Sequence, residues 1–375
     1  EKSAEWIKQH HNPKLVQSAL KELQDMGTMF CHPGKANVFV KNEALVKGLT
    51  GIPGYYDDLP PRSIVATSYA YAALLSPVFM EVKRRLKSIL KENMHYVDGM
   101  TPLQLSLTIN KYENVKYLVE DDASKQDAQT DEYIIAIEEK IYLDLGIDKS
   151  LLRFYIDTSH TNWQWKGKNI RGRDNAMRLS GQVTTAIGNA VVNMIIHSHL
   201  IARNEDRVIA MLVLGDDNLI LANNEINTKF HGTETKELFN MICKTSQNRL
   251  VGGFLSMLVA NNNGRCSVFP HYRRLRHRYS VVNTCYTIEE QDNKIEQRKL
   301  SYCIMLGNIS QTKNYAKTLC PTIEIPDWYD TSLAIMVNSL YDNHTEEQVT
   351  NNVGKLCEMI IEAVPIRKRF NIWTQ

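Results

Sequence analysis

Apolar and polar positions alternate in two rhythms along this chain. From about Thr130 to Leu145, Ile134, Ile137, Ile141 and Leu145 recur at helical spacing and predict one apolar face. Asp131 and Glu132 fall in the first turn of that helix, where acids suit the dipole. A second helix is expected from Ser180-Gly181 to about Ile201. In it Thr185, Asn189 and Asn193 form a polar stripe beside an apolar stripe of Ile187, Val191 and Ile195. Strand rhythm appears at Val115–Glu120, which runs into Asp121 and Asp122. It appears again at Val208–Leu214 and Leu219–Ala222, which flank the turn Gly215-Asp216-Asp217-Asn218 as a tight hairpin. Ser63 to Leu86 is mostly apolar and runs into a basic helix, after a Gly/Pro-rich stretch from Gly48 to Pro61. Ser159 to Arg173 is polar, basic and aromatic, and reads as loop or ribbon; the chain beyond about His271 reads as mainly helical. Strand, helix, helix, hairpin in this order predicts an α+β fold with helices on one face of an antiparallel sheet.

The 375 residues, 43% of them hydrophobic, suffice for a sizeable core and more than one subdomain. A formal net charge of +2 says little about partners, so local charge has to carry that argument. Seven cysteines (Cys31, Cys243, Cys266, Cys285, Cys303, Cys320, Cys357) are scattered singly, without a CxxC pair or a Cys/His cluster that would predict zinc. Their odd number, with no signal peptide, points to a reducing compartment. No apolar run is expected to span a bilayer. A chain opening on Glu1 is expected to be cut from a longer protein.

Three short patterns carry candidate chemistry. Asp216 and Asp217 stand side by side in the hairpin turn, a pairing that hairpins also show without any catalytic role. Asp122 closes a β-prone run and Asp127 follows five positions later; a helix cap with solvated acids would read the same. Ser180, Gly181, Thr185 and Asn189 mark the polar stripe, which a plain amphipathic helix would also show.

Taken together and in this order, the three resemble the polymerase motifs of positive-strand RNA virus replicases, closest to the alphavirus-like and tombusvirus-like ones. Motif A, Asp-x4-Asp, is Asp122 to Asp127. Motif B, Ser-Gly-x3-Thr-x3-Asn, is Ser180, Gly181, Thr185 and Asn189. Motif C, Gly-Asp-Asp, is Gly215, Asp216 and Asp217. Upstream, Val40 to Glu43, Lys47 and Pro60 to Ile64 resemble the basic motif F. Downstream, Gly253-Phe254-Leu255-Ser256 resembles motif E, and motif D should lie between Glu225 and Arg249, with Lys236 or Lys244 as its lysine. The similarity spans roughly Val38 to Pro270.

The resemblance implies an RNA-directed RNA polymerase with a right-hand architecture. Fingers would take residues 1–114 and an insertion at 151–177. The palm, an antiparallel sheet with helices, would take 115–150 and 178–270, and a mainly helical thumb 271–375. Asp122, Asp216 and Asp217 would hold two Mg2+ or Mn2+ ions for in-line nucleotidyl transfer. Asp127 and Asn189, helped by Ser180 or Thr185, would sense the ribose 2′-hydroxyl, which both donates and accepts. Lys41, Lys47 and Arg62 would neutralise the triphosphate. The implied partners are RNA template and nascent strand, ribonucleoside triphosphates and other domains of a longer viral replicase; the implied setting is a cytoplasmic replication complex at host membranes.

Two basic segments have two readings each. Trp163, Trp165, Lys166, Arg171 and Arg173 either stack bases and follow a phosphate backbone, or anchor a loop through buried tryptophans. Arg273, Arg274 and Arg276 either hold RNA or form a solvated helix face. The alternatives to an active RNA polymerase are a reverse transcriptase-like palm polymerase and an inactive RNA-binding relative. The Leu214-Gly215 lead into motif C and Asn189 in motif B speak against the first, and the retained Asp122, Asp216 and Asp217 against the second.

Overall fold

The structure, a computed structural model, describes residues 16–17, 19–21, 24, 35–40, 63–160, 163–169, 171–175, 178–280, 288–307, 309–323 and 331–362. Two compact units emerge, one from residues 1–41, 61–99 and 119–247, the other from 42–60, 100–118 and 248–375.

The first unit is built on a five-stranded sheet of β3 (Met94–Tyr96), β4 (Tyr117–Ala123), β7 (Val208–Leu214), β8 (Asp217–Ala222) and β9 (Cys243–Asn248), in the order β3-β7-β8-β4-β9. β3 runs parallel to β7, while β7 and β8 form an antiparallel hairpin with Leu214 opposite Asp217. The hairpin turn is tighter than its four-residue sequence signature: only Gly215 and Asp216 are left unpaired, and Gly215 takes a left-handed φ of +61°. β4 extends further than the apolar run suggests, because Asp121 and Asp122 stay in the ladder.

Helices cover one face of this sheet. Ala123 packs with Ile134 of α4 (Glu132–Asp144), Val192 and Ile196 of α6 (Thr185–Arg203), and Phe239 of α7 (His231–Phe239). Asp131 caps α4 through its side chain, accepting from the Ile134 amide at 3.0 Å. α6 starts four residues later than its sequence pattern suggests, because Ser180 to Thr184 form a turn in which Gly181 bridges to Ala66. Its length and mean hydropathy of 1.2 would suit a membrane crossing, contrary to the expectation from the apolar runs; 56% of that apolar window is buried inside the protein.

The same unit holds α1 (Tyr69–Ile89), the one-turn α3 (Gln126–Gln129), α5 (Lys149–Ser159) and a second sheet. That sheet has the order β2-β1-β5-β6, from β1 (Lys35–Val40), β2 (Ser63–Ala66), β5 (Trp163–Lys166) and β6 (Arg171–Asp174). The aromatic and basic stretch is therefore a ribbon, with Lys166 opposite Arg171 and Gln164 opposite Arg173.

The second unit holds α2 (Pro102–Ile109) and an antiparallel sheet of β10 (Val251–Phe254), β11 (Met257–Asn262) and β12 (Arg265–Pro270). The turn between β10 and β11 puts both Leu255 and Ser256 at positive φ, +53° and +63°, the pattern of a type I′ hairpin turn. Among the described residues five helices follow: α8 (Tyr272–Ser280), α9 (Ile288–Met305), α10 (Ser310–Leu319), α11 (Thr331–Asp342) and α12 (Glu346–Ile361). They share a core that includes Phe269, Tyr272, Leu306, Val337 and Leu356.

Candidate active site

Strand parity sorts the acids. Along β4, Val119, Asp121 and Ala123 point to the helix-covered face and are buried, while Asp122 points the other way and is exposed. Along β8, Asn218 is buried and Asp217 is exposed. Because β4 and β8 are neighbours, Asp122 and Asp217 stand on the other face of one sheet, at its exposed end, with exposed Asp216 in the turn beside them.

Buried amides hold this arrangement. Asn218 donates from Nδ2 to the Asp121 carbonyl at 2.9 Å and to Asn193 Oδ1 at 3.1 Å. Asn193 of α6 in turn donates to the carbonyls of Asp216 at 2.9 Å and Gly215 at 3.3 Å. The polar stripe of α6 is thus not a solvated face: Asn189 and Asn193 are buried, and both face this end of the sheet. Asn189 Nδ2 donates to Asp127 Oδ1 at 2.7 Å, and Gln126 Nε2 to the Asn189 carbonyl at 3.0 Å, so α3 is docked on α6.

Ser180 and Thr185 have local partners. The Val65 amide donates to Ser180 Oγ at 3.2 Å, and Thr185 Oγ1 donates to the carbonyls of Leu179 at 2.7 Å and Gln182 at 3.1 Å. Behind this turn lies a fully buried ion pair, Arg178 with Glu138 of α4, joined by the Tyr142 hydroxyl, which donates to Glu138 at 2.9 Å. A Cβ on Gly188 would run into both members of the pair, so only glycine lets α6 pack there.

The donor set of Asp122, Asp216 and Asp217 consists of carboxylate oxygens alone, and all three acids are exposed. That is the hard, oxygen-only, partly hydrated environment magnesium or manganese takes. Asp122, Asp216 and Asp217 therefore fit the expected ions by chemistry.

Directly behind them is a group the sequence pattern missed. Asp121, His231 and Cys243 bring one ligand atom each within 4.8 Å of one another, a Cys/His grouping that scattered positions did not announce. His197 Nε2 lies 2.9 Å from Asp121 Oδ2, and Thr245 donates its hydroxyl to Oδ1. Burial alone would raise the pKa of Asp121, but the bonds to His197, His231 and Thr245 hold it below the ordinary carboxylate range.

The remaining expected residues fall elsewhere. On the ribbon, Lys166, Arg171 and Arg173 are exposed and share one face by register. Trp165 occupies the other face, half-buried beside Ala36 and Leu179. For Trp163 only the backbone is described. Arg273, Arg274 and Arg276 are half-buried on α8; Arg273 approaches His344 at 3.3 Å and Arg276 donates to Asn352 at 2.7 Å. Lys236 and Lys244 are both exposed. Lys41, Lys47 and Arg62 lie outside the described residues.

A family model described as RNA dependent RNA polymerase matches residues 50–275, more than half of the 375. The chain belongs to this polymerase family. Among its relatives are the replicase polyprotein 1ab of Beet yellows virus, 30% identical over 172 residues, and the replicase large subunit of Turnip vein-clearing virus, 30% identical over 170. Each match covers 44% of this chain, but only 6% and 10% of the respective relative. The replicase large subunit of Pepper mild mottle virus (strain Spain) is 24% identical over 261 residues, 68% of this chain and 16% of that protein. This member of the family is thus similar to small parts of much longer viral replicases, and the matched span nearly coincides with the stretch that carries the motifs.

Proposed function

We propose that the chain is the catalytic domain of an active replicase. It would join the 3′-hydroxyl of a growing RNA to the α-phosphorus of a ribonucleoside triphosphate, with pyrophosphate leaving, as an RNA template directs. The observation that carries the reading is the tie from Asn193 and Asn218 to the backbones of Gly215, Asp216 and Asp121, which fixes the carriers of all three exposed acids to one rigid support. Preorganisation of this kind is what a charge-building transition state rewards.

Asp122, Asp216 and Asp217 would hold two divalent ions, which when bound stabilise the attacking and leaving oxygens and ease deprotonation of the hydroxyl. Asp127, held by Asn189, offers a carboxylate to the ribose 2′-hydroxyl from the next element along. The exposed basic face of the ribbon, Lys166, Arg171 and Arg173, suits a phosphate backbone. On this reading the first unit supplies palm and fingers, and the helices after His271 supply the thumb.

The test is labelled ribonucleotide incorporation on a short single-stranded RNA, with and without primer, in magnesium and in manganese, alongside Asp216→Ala. Template-dependent product from the unaltered chain and none from the folded variant supports the reading. Equal incorporation by both, or RNA binding with no metal-dependent synthesis under any initiation scheme, overturns it.

A further inference from the structure

We infer that Asp121, His231 and Cys243, with His197 hydrogen-bonded to Asp121 behind them, form a site for a zinc ion, separate from the exposed acids Asp122, Asp216 and Asp217. Four elements meet there: Asp121 comes from β4, His197 from α6, His231 opens α7 and Cys243 opens β9.

Geometry argues first. His231 Nε2 lies 3.4 Å from Asp121 Oδ2. That is long for a charge-assisted hydrogen bond, which runs at about 2.7–2.9 Å. It matches an edge of a tetrahedron, since two ligands about 2.0–2.1 Å from zinc stand roughly 3.3 Å apart. The Cys243 sulfur completes the group within 4.8 Å. Thr245 occupies Asp121 Oδ1 and leaves Oδ2 turned toward the imidazoles.

Support from behind argues second. His197 Nδ1 lies 2.7 Å from the Asn193 carbonyl, which can only accept, so Nδ1 carries the hydrogen. His197 Nε2 lies 2.9 Å from Asp121 Oδ2, so the ring links α6 to the carboxylate, and a carboxylate oriented in this way is the usual support of a metal site. His231 Nδ1 is buried with no partner of its own.

Charge argues third. One carboxylate, one thiolate and one neutral imidazole balance a divalent cation. The soft sulfur with imidazole nitrogen selects zinc over the hard cations suited to Asp122, Asp216 and Asp217. Such an ion would brace β4 from behind, one residue from Asp122. The inference does not depend on the polymerase reading.

The full chain, purified without chelators, is measured for zinc by elemental analysis, next to Cys243→Ser, His231→Ala and Asp216→Ala. Expected is about one zinc per chain, retained in Asp216→Ala and lost from the two site variants. Should the site variants not fold, cobalt(II) exchanged into the unaltered protein decides: a thiolate-to-cobalt charge-transfer band supports the site, and its absence refutes it. Folded protein that neither contains zinc nor gains thermal stability from added zinc also overturns the inference, as does full zinc content in folded Cys243→Ser.

Discussion

Asn218 gives one amide hydrogen to the backbone carbonyl of Asp121 at 2.9 Å, and so ties the strand after the Gly-Asp-Asp turn to the strand carrying Asp122. The residue is buried, and its neighbour in β8 is one of the exposed acids. Asn218→Ala would leave the Asp121 carbonyl and the Asn193 side chain short of a donor. A loss of about 1–3 kcal/mol in urea unfolding is expected, with a larger fall in nucleotide incorporation than in RNA affinity. Unchanged stability would show that the amide is not the tie argued here.

Asp127 and Asn189, paired at 2.7 Å, make a prediction about sugar choice. A site built to bond a hydroxyl loses discrimination when a partner is removed. In Asp127→Ala, incorporation of ribonucleotides should fall at least tenfold relative to 2′-deoxynucleotides. A variant that loses activity on both equally would move Asp127 from sugar selection to general support.

The Arg178–Glu138 pair is fully buried, and removing one partner strands a charge. Glu138→Ala should cost about 3–5 kcal/mol, whereas the apolar double replacement Glu138→Leu with Arg178→Met should recover most of it. Denaturant midpoints of the single and double variants distinguish this from a dispensable pair.

The basic face of the ribbon predicts salt-dependent RNA binding. Replacing Lys166, Arg171 and Arg173 together by alanine should weaken RNA affinity and shrink the slope of log affinity against log salt by about 2. An unchanged slope would take the ribbon out of the RNA path.

Burial pushes the Cys266 thiol up to about 12, and the Cys303 and Cys357 thiols to about 11. Unfolded thiols ionise near about 8.5. Between those values the unfolded chain has released protons that the folded chain keeps, so stability is full below about 8.5 and falls as pH rises. The slope is at most about 1.4 kcal/mol per thiol per pH unit. Urea unfolding at pH 7.5 and at pH 9.5 checks this; equal midpoints would contradict it. The same thiols should resist a disulfide reagent at neutral pH until the protein unfolds.

Much of this molecule was legible in its residue order. The helical spacing of Ile134, Ile137 and Ile141 marks α4, and the two apolar runs around Gly215 mark the β7–β8 hairpin, because both periods are local properties of a chain that must bury one face. Asp122, Asp127, Asn189, Asp216 and Asp217 were readable as an ordered set only through the resemblance to viral replicase motifs, since each pattern alone fits a plain cap, stripe or turn. The tertiary structure decided what each polar residue faces. Asp121 and Asp122 are chemically identical neighbours, yet strand parity and the cover of α6 send one into a buried His/Cys group and leave the other exposed at the sheet end. Asn193 and Asn218 read as solvated or turn residues until long-range packing sets them among two strands, the hairpin turn and a helix. The gathering of Asp121, His197, His231 and Cys243, the pairing of β1 with β5, and the grouping of residues 100–118 with 248–375 join distant segments. Such contacts follow from which faces must be covered together, and no local spacing encodes them.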